Sequence, residues 1–535
     1  MNTTMIKKID SLFADWKKPD SPGFAIGLVK EGRLVYSRGY GMASLEHNVR
    51  ITPATLFDVG STSKQFVACC SAILEKRGKL SVEDDVRKYI PELPDYGVTV
   101  RIRHLISHTS GIRDYLALME LAGMRYENEY PDAEIMELVF RQKKLNFRPG
   151  DEFLYSNSGY LLLGEIIKRV SGQTLREFAE RNIFSPLGMR DTRFHDDFAE
   201  VVKNKATGYS ISKDKVRLDI SLFDVVGDGG INTTVEDLAR WDGNFCRNTL
   251  EGGAELVKRI TEPWKLNNGK RLDYAWGLFV TEYRGQKLIS HGGAWVGYRA
   301  DLIRFPEKDF SVICLANFSQ AKPTPIAKQI ADICLAGELK GPASPPVQSS
   351  AVAAVAPARI NKIKTGLYLS IATGKFIEIS VKLKKLFLRD EDSTYELFPV
   401  SSFGFVIASG AKEVLLERAG SKIPRISLKK LNGDTLVYER ILPPALGPKV
   451  IRSLAGHYYS AELGTEYQVR ALSGKLNLER RGFPCEDLKR VRGGLFAGEA
   501  VSIEFPRVGG RNANTFMLNS GRVRGVVFVR RTQRD

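Results

Sequence analysis

Three short groups of residues carry side chains able to do covalent chemistry on a carbonyl. Ser61-Thr62-Ser63-Lys64 sets a hydroxyl and an amine three residues apart. On a helix the two share one face, so both can point into one cleft while the Ser61 N–H looks into the same space. The spacing alone is weak: Ser212/Lys215 and Ser427/Lys430 repeat it, and an isolated match describes a helix cap with a solvated lysine. The setting distinguishes Ser61. LFDVG before it supplies a strand-like approach ending in glycine, and Phe66, Val67, Cys70, Ile73 and Leu74 after it give the helix an apolar anchoring face. Tyr155-Ser156-Asn157 is the second group. A tyrosine moves protons when nearby cations depress its pKa, and an asparagine can both donate to and accept from an amide. His291-Gly292-Gly293-Ala294, after the apolar pair Leu288-Ile289, is the third; its glycines let a strand backbone approach a bound carbonyl. Singly, each has a plain structural account: a half-buried tyrosine, an Asx-type cap, a hairpin histidine relieved by glycine.

The elements that must position these groups follow from apolar periodicity. The first residues, with Ile6, Ile9, Leu12, Phe13 and Trp16 at helical spacing, predict a helix, and Ser21-Pro22-Gly23 breaks it. Residues 24 to 40 predict a hairpin turning at KEGR. A helix is expected over 62–76, stopped by Gly78, a second over 159–170, ending at Ser171-Gly172, and a third from Thr234, where Asp237 completes a capping signature. KDFSVICLANF at 308 to 318 reads as strand, and Thr324-Pro325 opens a helix with Ile326, Ile330, Ile333 and Cys334 on one side.

At 340–359 the chain loses periodicity and aromatics and gains Pro, Ser and Ala, which predicts a linker. Beyond it the period is two: Ile377, Ile379, Val381 and Leu383 alternate with polar residues, and 502–506 and 524–530 do likewise. IKTGLYLSIATGKFIEI at 363 and LAGHYYSAELGTEYQV at 454 are alike, so two related β units are expected, divided near 442–448. The chain of 535 residues implies two or three domains. Its 79 Lys+Arg against 62 Asp+Glu give +17. Residues 351 to 535 hold +14 of this, with 31 basic and 17 acidic side chains, so the first 350 residues are nearly neutral. Six cysteines show no zinc spacing and no disulfide-scaffold density, and no uncharged apolar stretch reaches membrane-spanning length. A soluble, cytoplasmic protein without metal or cofactor is expected.

Together and in this order, Ser-x-x-Lys at Ser61/Lys64, Tyr-x-Asn at Tyr155/Asn157 and His-x-Gly at His291/Gly293 resemble the motifs of the serine β-lactamase and penicillin-binding-protein superfamily, in its class C-like branch. ISHTSGI at 106–112, NSGYLLLGEII at 157–167 and DGGINTTVEDLARW at 228–241 support the resemblance, which covers roughly residues 5 to 337. It implies an α+β fold, a three-layer α/β/α catalytic domain with an antiparallel sheet. The architecture is similar to that of D-stereospecific aminopeptidases, in which two antiparallel, lipocalin-like β-barrel domains follow and a loop of the last reaches the active-site mouth. The expected domains are 1–339, 360–442 and 449–535. Carried over, Ser61 is the nucleophile, Lys64 its general base or proton relay, and Tyr155 the acid/base residue. His291, where many relatives have a lysine, lends electrostatic or hydrogen-bond support. The N–H groups of Ser61 and Ala294 form the oxyanion hole, and Asn157, Gly292 and Gly293 bind substrate.

A histidine is mostly neutral near pH 7 and asks for no substrate carboxylate. This favours aminopeptidase, amidase or esterase action, and the resemblance to D-aminopeptidases implies hydrolysis through an acyl-enzyme, releasing an N-terminal D-amino acid from a small peptide or amide. An esterase and a D-Ala carboxypeptidase or β-lactamase-like hydrolase are the enzymatic alternatives. The non-enzymatic one is an inactive scaffold whose basic β tail binds nucleic acid or acidic polymer. Lys382, Lys384, Lys385, Lys489, Arg490 and Arg492 form short basic patches without an RNA-binding aromatic signature, so strand charges that discourage edge pairing explain them more simply. Nucleic acid and membrane are not expected partners; a homodimer is one assembly the resemblance allows.

Overall fold

The computed structural model describes residues 2–212, 215–341 and 365–531, the last span without 371–374, 384, 391–393, 400–403, 408–411, 417–424, 431–434, 443–445 and 507–513. Two compact units divide the chain: Met1–Leu116 with Arg125–Val347, and Ala117–Met124 with Gln348–Asp535.

The first unit is built on a six-stranded antiparallel sheet. Its strands are β1 (Phe24–Lys30), β2 (Arg33–Tyr40), β3 (Phe279–Tyr283), β4 (Gln286–Trp295), β5 (Tyr298–Phe305) and β6 (Phe310–Ala316), in the order β3-β4-β5-β6-β1-β2. Strands distant in sequence meet at its centre, with Phe24 opposite Ala316. Helices α1 (Thr3–Ser11) and α5 (Pro323–Cys334) cover one face, where Ile9, Phe13, Ile326 and Ile330 pack with Phe24, Ile26, Leu28, Val312 and Cys314. Helix α4 (Val235–Arg247) covers the other, its Val235 side chain filling the space over Gly27. Because β1 is covered on both faces, FAIGLV is an unbroken apolar run rather than an alternation. Burying each Phe, Ile or Leu of such a strand contributes about 1.5–3 kcal/mol.

Local signals act where they were expected. The 24–40 hairpin is β1–β2. The Thr234 hydroxyl caps α4 by accepting from the Asp237 N–H at 3.1 Å. Gly172 closes α3 (Asn157–Ser171) with φ 71°. Boundaries moved by a few residues. Helix α2 (Lys64–Lys76) is preceded by a 3₁₀ turn, Gly60–Ser63, α3 starts at Asn157 rather than 159, and α5 starts at Pro323, since proline is tolerated in a helix's first turn.

The second unit holds two closed antiparallel barrels of eight strands each. The first barrel runs from Gly366–Leu369 to Thr435–Arg440 and the second from Gly456–Ser460 to Val523–Arg530. Both close alike, Tyr368 facing Arg440 and Tyr458 facing Arg530 across the seam, which matches the internal repeat read from the sequence. Ile377 and Ile379 point into the first barrel's core, but Val381 is 38% and Leu383 95% exposed. The strand stops at Lys382, and Leu383, with φ 49°, belongs to the turn beyond it. Leu367 and Phe376 of the first barrel pack with Val491, Leu495 and Ala497 of the second. Three of the basic residues have acidic neighbours: Lys382 pairs with Glu499 at 3.3 Å, Lys385 with Glu396 at 2.9 Å, and Lys489 with Glu378. Lys384 and the linker expected at 340–359, from 342 onward, lie outside the described residues.

Candidate active site

The segment carrying Ser61 is shaped by backbone contact. Val59 donates its N–H to Ile231 O at 3.0 Å, and the buried Asp58 carboxylate accepts from the Gly60 N–H at 2.7 Å. Gly60, with φ 48°, then turns the chain so that Ser61 sits one turn before α2. The turn lies directly on β4. A Cβ at Gly60 would stand 2.7 Å from Ala294 N, and one at Gly293 only 1.7 Å from Val59 O. The Thr62 hydroxyl donates to His291 O at 3.1 Å. By strand alternation His291 and Trp295 share the face of Gly293, toward the turn. Gly292 lies on the opposite face, where a Cβ would meet Ala300 O at an ordinary 3.4 Å. The backbone amides of Ser61 and Ala294 thus belong to two segments in direct contact.

Lys64, fully buried, reaches three oxygens with Nζ: Ser61 Oγ at 3.0 Å, Asn157 Oδ1 at 2.8 Å and Asp228 O at 2.5 Å. The rings of Tyr155 and Tyr160 lie 5.0 and 5.5 Å from the ammonium, close enough for cation–π attraction. Asn157, first residue of α3, is held by its N–H, which donates to Asp114 Oδ2 at 2.7 Å. Asp228 Oδ1 accepts from Tyr115 Oη at 2.8 Å. Burial raises the Asp228 carboxyl to about 6, against the pull of the nearby Lys64 charge.

His291 is buried and its pKa is lowered to about 3, first by burial and then by the charge of Lys64. Its Nδ1 is 2.7 Å from Gly292 O and its Nε2 3.0 Å from Tyr274 Oη. Tyr274 Oη is in turn 3.1 Å from Nε2 of His108, whose Nδ1 accepts from the Ser156 N–H at 3.1 Å. The Tyr155 ring lies over His108 at 4.1 Å between centroids and 6.2 Å from His291.

Ser61, Lys64, Tyr155, Asn157 and His291, spread over 231 positions of sequence, therefore meet in one cluster, with Gly293 and Ala294 against the nucleophile turn. Gly292 takes part through its carbonyl. The competing Ser-x-x-Lys matches go elsewhere: Ser212 and Lys215 face each other across a hairpin, and Ser427 and Lys430 lie on one strand. Sequence reasoning assigned no role to His108, Tyr274, Asp114, Tyr115 or Asp228. His108 and Asp228 lay inside motifs already noted, whereas LDYAWG around Tyr274 carries no spacing signal. Among the described residues no group of three or more His, Cys, Asp or Glu is disposed to hold a metal, and no helix is long and apolar enough to cross a membrane.

A doubly covered antiparallel sheet that brings a serine, a buried lysine, a tyrosine and a histidine strand together defines the class of protein. The family model described as Beta-lactamase matches residues 9–334, and the chain belongs to that family. It is 30% identical over 302 residues to a penicillin-binding protein of Bacillus subtilis (strain 168), covering 54% of this chain and 66% of that one. To a D-aminopeptidase of Gluconobacter oxydans (strain 621H) it is 29% identical over 314 residues, 58% of each chain. The matched region thus spans less than two thirds of these relatives' own length. Among solved structures, the octameric penicillin-binding protein homologue from Pyrococcus abyssi superposes with a TM-score of 0.57 at 25% identity, over 82% of this chain and 99% of that one.

Proposed function

We propose that this protein is a serine hydrolase that works through an acyl-enzyme on small peptides or amides and releases an N-terminal D-amino acid. The observation that carries the reading is the surroundings of Lys64. The oxygens of Asn157 and Asp228 that face Nζ are carbonyl oxygens and can only accept, so in the neutral amine they take both hydrogens. Its lone pair can then accept the proton of the Ser61 hydroxyl, 3.0 Å away. Ser61 Oγ then attacks the substrate carbonyl carbon as Lys64 takes its proton. The oxyanion of the tetrahedral intermediate is held by the N–H groups of Ser61 and Ala294, each worth roughly 3 kcal/mol at the transition state. Collapse expels the amine, which leaves with a proton delivered by way of Tyr155. Water, deprotonated by the same groups, cleaves the Ser61 ester and frees the acid. With its Oδ1 engaged by Lys64, Asn157 has its Nδ2 hydrogens to offer the substrate's carbonyl.

Neutral His291 brings no positive charge to meet a substrate carboxylate, which favours amides over the C-terminal carboxylates of a carboxypeptidase. The D configuration rests on likeness to the D-aminopeptidase of Gluconobacter oxydans. The test is a panel of D- and L-alanine amides and p-nitroanilides, short-chain p-nitrophenyl esters, a D-Ala-D-Ala peptide and a cephalosporin, with Ser61 trapped and identified by mass spectrometry. Preference for a D-residue amide with a free amine supports the reading. Ester turnover without stereochemical preference replaces it with an esterase, and turnover with no label on Ser61 removes the mechanism.

A further inference from the structure

The histidine strand and the tyrosine motif are joined by a chain of hydrogen bonds whose every direction can be worked out. A backbone N–H can only donate, so His108 Nδ1, which receives the Ser156 N–H, carries no hydrogen. In the neutral ring the hydrogen is then on Nε2 and points to Tyr274 Oη at 3.1 Å. At the other end a carbonyl can only accept, so His291 Nδ1, at 2.7 Å from Gly292 O, carries a hydrogen. Neutral His291 therefore presents a bare Nε2, and the hydrogen of Tyr274 Oη, 3.0 Å away, goes to it in preference to Tyr160 Oη, a neighbour whose own hydrogen goes to Ile106 O at 2.9 Å. The order is Ser156 N–H to His108, His108 to Tyr274, Tyr274 to His291, and His291 to Gly292 O. All these side chains are buried, so water does not offer an easy substitute.

We infer that His108 and Tyr274 are positioning residues that lock His291 as its neutral Nδ1–H tautomer and, through Ser156, fix the Tyr155-Ser156-Asn157 segment against the His291 strand. Ser156 stands between Tyr155 and Asn157, so the chain ties the second group of reactive residues to the third without touching Ser61 or Lys64. It also engages both ring nitrogens of His291 inside the protein. His291 then acts on the reaction as an uncharged, oriented wall beside Lys64 rather than as a donor to substrate. A cationic His291 would lower the proton affinity of Lys64; the neutral tautomer leaves that affinity to the other neighbours of the amine.

The kinetic part of the test rests on the proposed hydrolase reading; the spectroscopic part does not. Full-length protein labelled with 15N-histidine is examined near pH 7 by long-range 1H–15N correlation, the rings being assigned with His108→Gln and His291→Gln. The expected spectrum has Nδ1–H on His291 and Nε2–H on His108. In Tyr274→Phe, which removes one oxygen and keeps the ring, His291 should become a tautomer mixture. Turnover of whichever panel substrate the wild type cleaves should fall by about tenfold or more, with KM within about threefold. An Nε2–H or cationic His291 in the wild type overturns the inference, whether or not any variant folds. So does an unaltered His291 spectrum or an unaltered kcat in folded Tyr274→Phe. If no panel substrate is cleaved, the hydrolase reading fails by itself and the ring spectra still decide the tautomer lock.

Discussion

Gly292 and Gly293 are neighbours on β4, neither has a positive φ, and they should respond to the same substitution in opposite ways. Alanine at 292 places its methyl 3.4 Å from Ala300 O and 3.8 Å from the Asp301 carboxyl carbon, ordinary contacts. Alanine at 293 places it 1.7 Å from Val59 O, 2.8 Å from Val59 C and 3.0 Å from Thr62 Oγ1, all fixed parts of the turn that carries Ser61. Recovering a tolerable contact requires the two backbones to part by roughly 1.3 Å, and a misplacement of about 1 Å at a reaction centre costs on the order of 100-fold. Losing one oxyanion donor costs about 3 kcal/mol, which is again 10²- to 10³-fold. Gly293→Ala should therefore lower kcat roughly 100-fold or more, and Gly292→Ala should stay within about threefold. Both variants would be assayed on a D-alanine p-nitroanilide or the best panel substrate, with circular dichroism to verify folding. Equal effects of the two substitutions, or a folded Gly293→Ala with wild-type kcat, would refute the reasoning about turn and strand.

Ser61→Ala should abolish hydrolysis and leave the circular dichroism spectrum unchanged; turnover by this variant at the wild-type rate excludes Ser61 as nucleophile. Lys64→Arg keeps a cation but cannot accept a proton, so steady-state assays should find activity reduced by about 10²-fold or more; retained activity means that another group is the base. His291 has a folded pKa of about 3, below its unfolded value near 6.5. Its contribution to stability is thus complete above about pH 6.5 and is lost as pH falls toward 3, at about 1.4 kcal/mol per pH unit. The stability difference between wild type and His291→Gln, from urea unfolding of the first unit's tryptophans, should shrink by about 2 kcal/mol from pH 7 to pH 5. A constant difference would mean that His291 titrates normally.

Much of the site is local enough to be legible in the sequence. The Ser61/Lys64 spacing works because α2 begins at Lys64, and Asn157 is aimed because it opens α3. The Thr234 cap and the closing Gly172 are single-residue signals that no distant contact overrides. What stayed hidden depends on segments that only tertiary structure brings together. His108 and Tyr274 are 166 positions apart and share one proton. Asp228 meets Lys64 through a backbone oxygen, which leaves no trace in residue type. Gly293 looked like relief for a substrate, and the structure adds that it accommodates Val59. In the barrels, alternation identified Ile377 and Ile379 as core but could not locate the turn at Leu383, because a strand's end depends on the partner with which it pairs.

The pairing of β1 with β6 has a bearing on how the molecule comes into being. Phe24 can pair with Tyr40 early, within the hairpin, but its other edge has no partner until Ala316 has been synthesised, and the Ser61 turn has no floor until residues 291–294 exist. Contacts of such separation are slow to form, and at roughly 5–20 residues per second the ribosome takes from about fifteen seconds to a minute to supply them. During that interval the apolar strand FAIGLV is exposed to chaperones and to other chains. The nascent fragment also lacks the strand residues 291–294 against which the Ser61 turn packs.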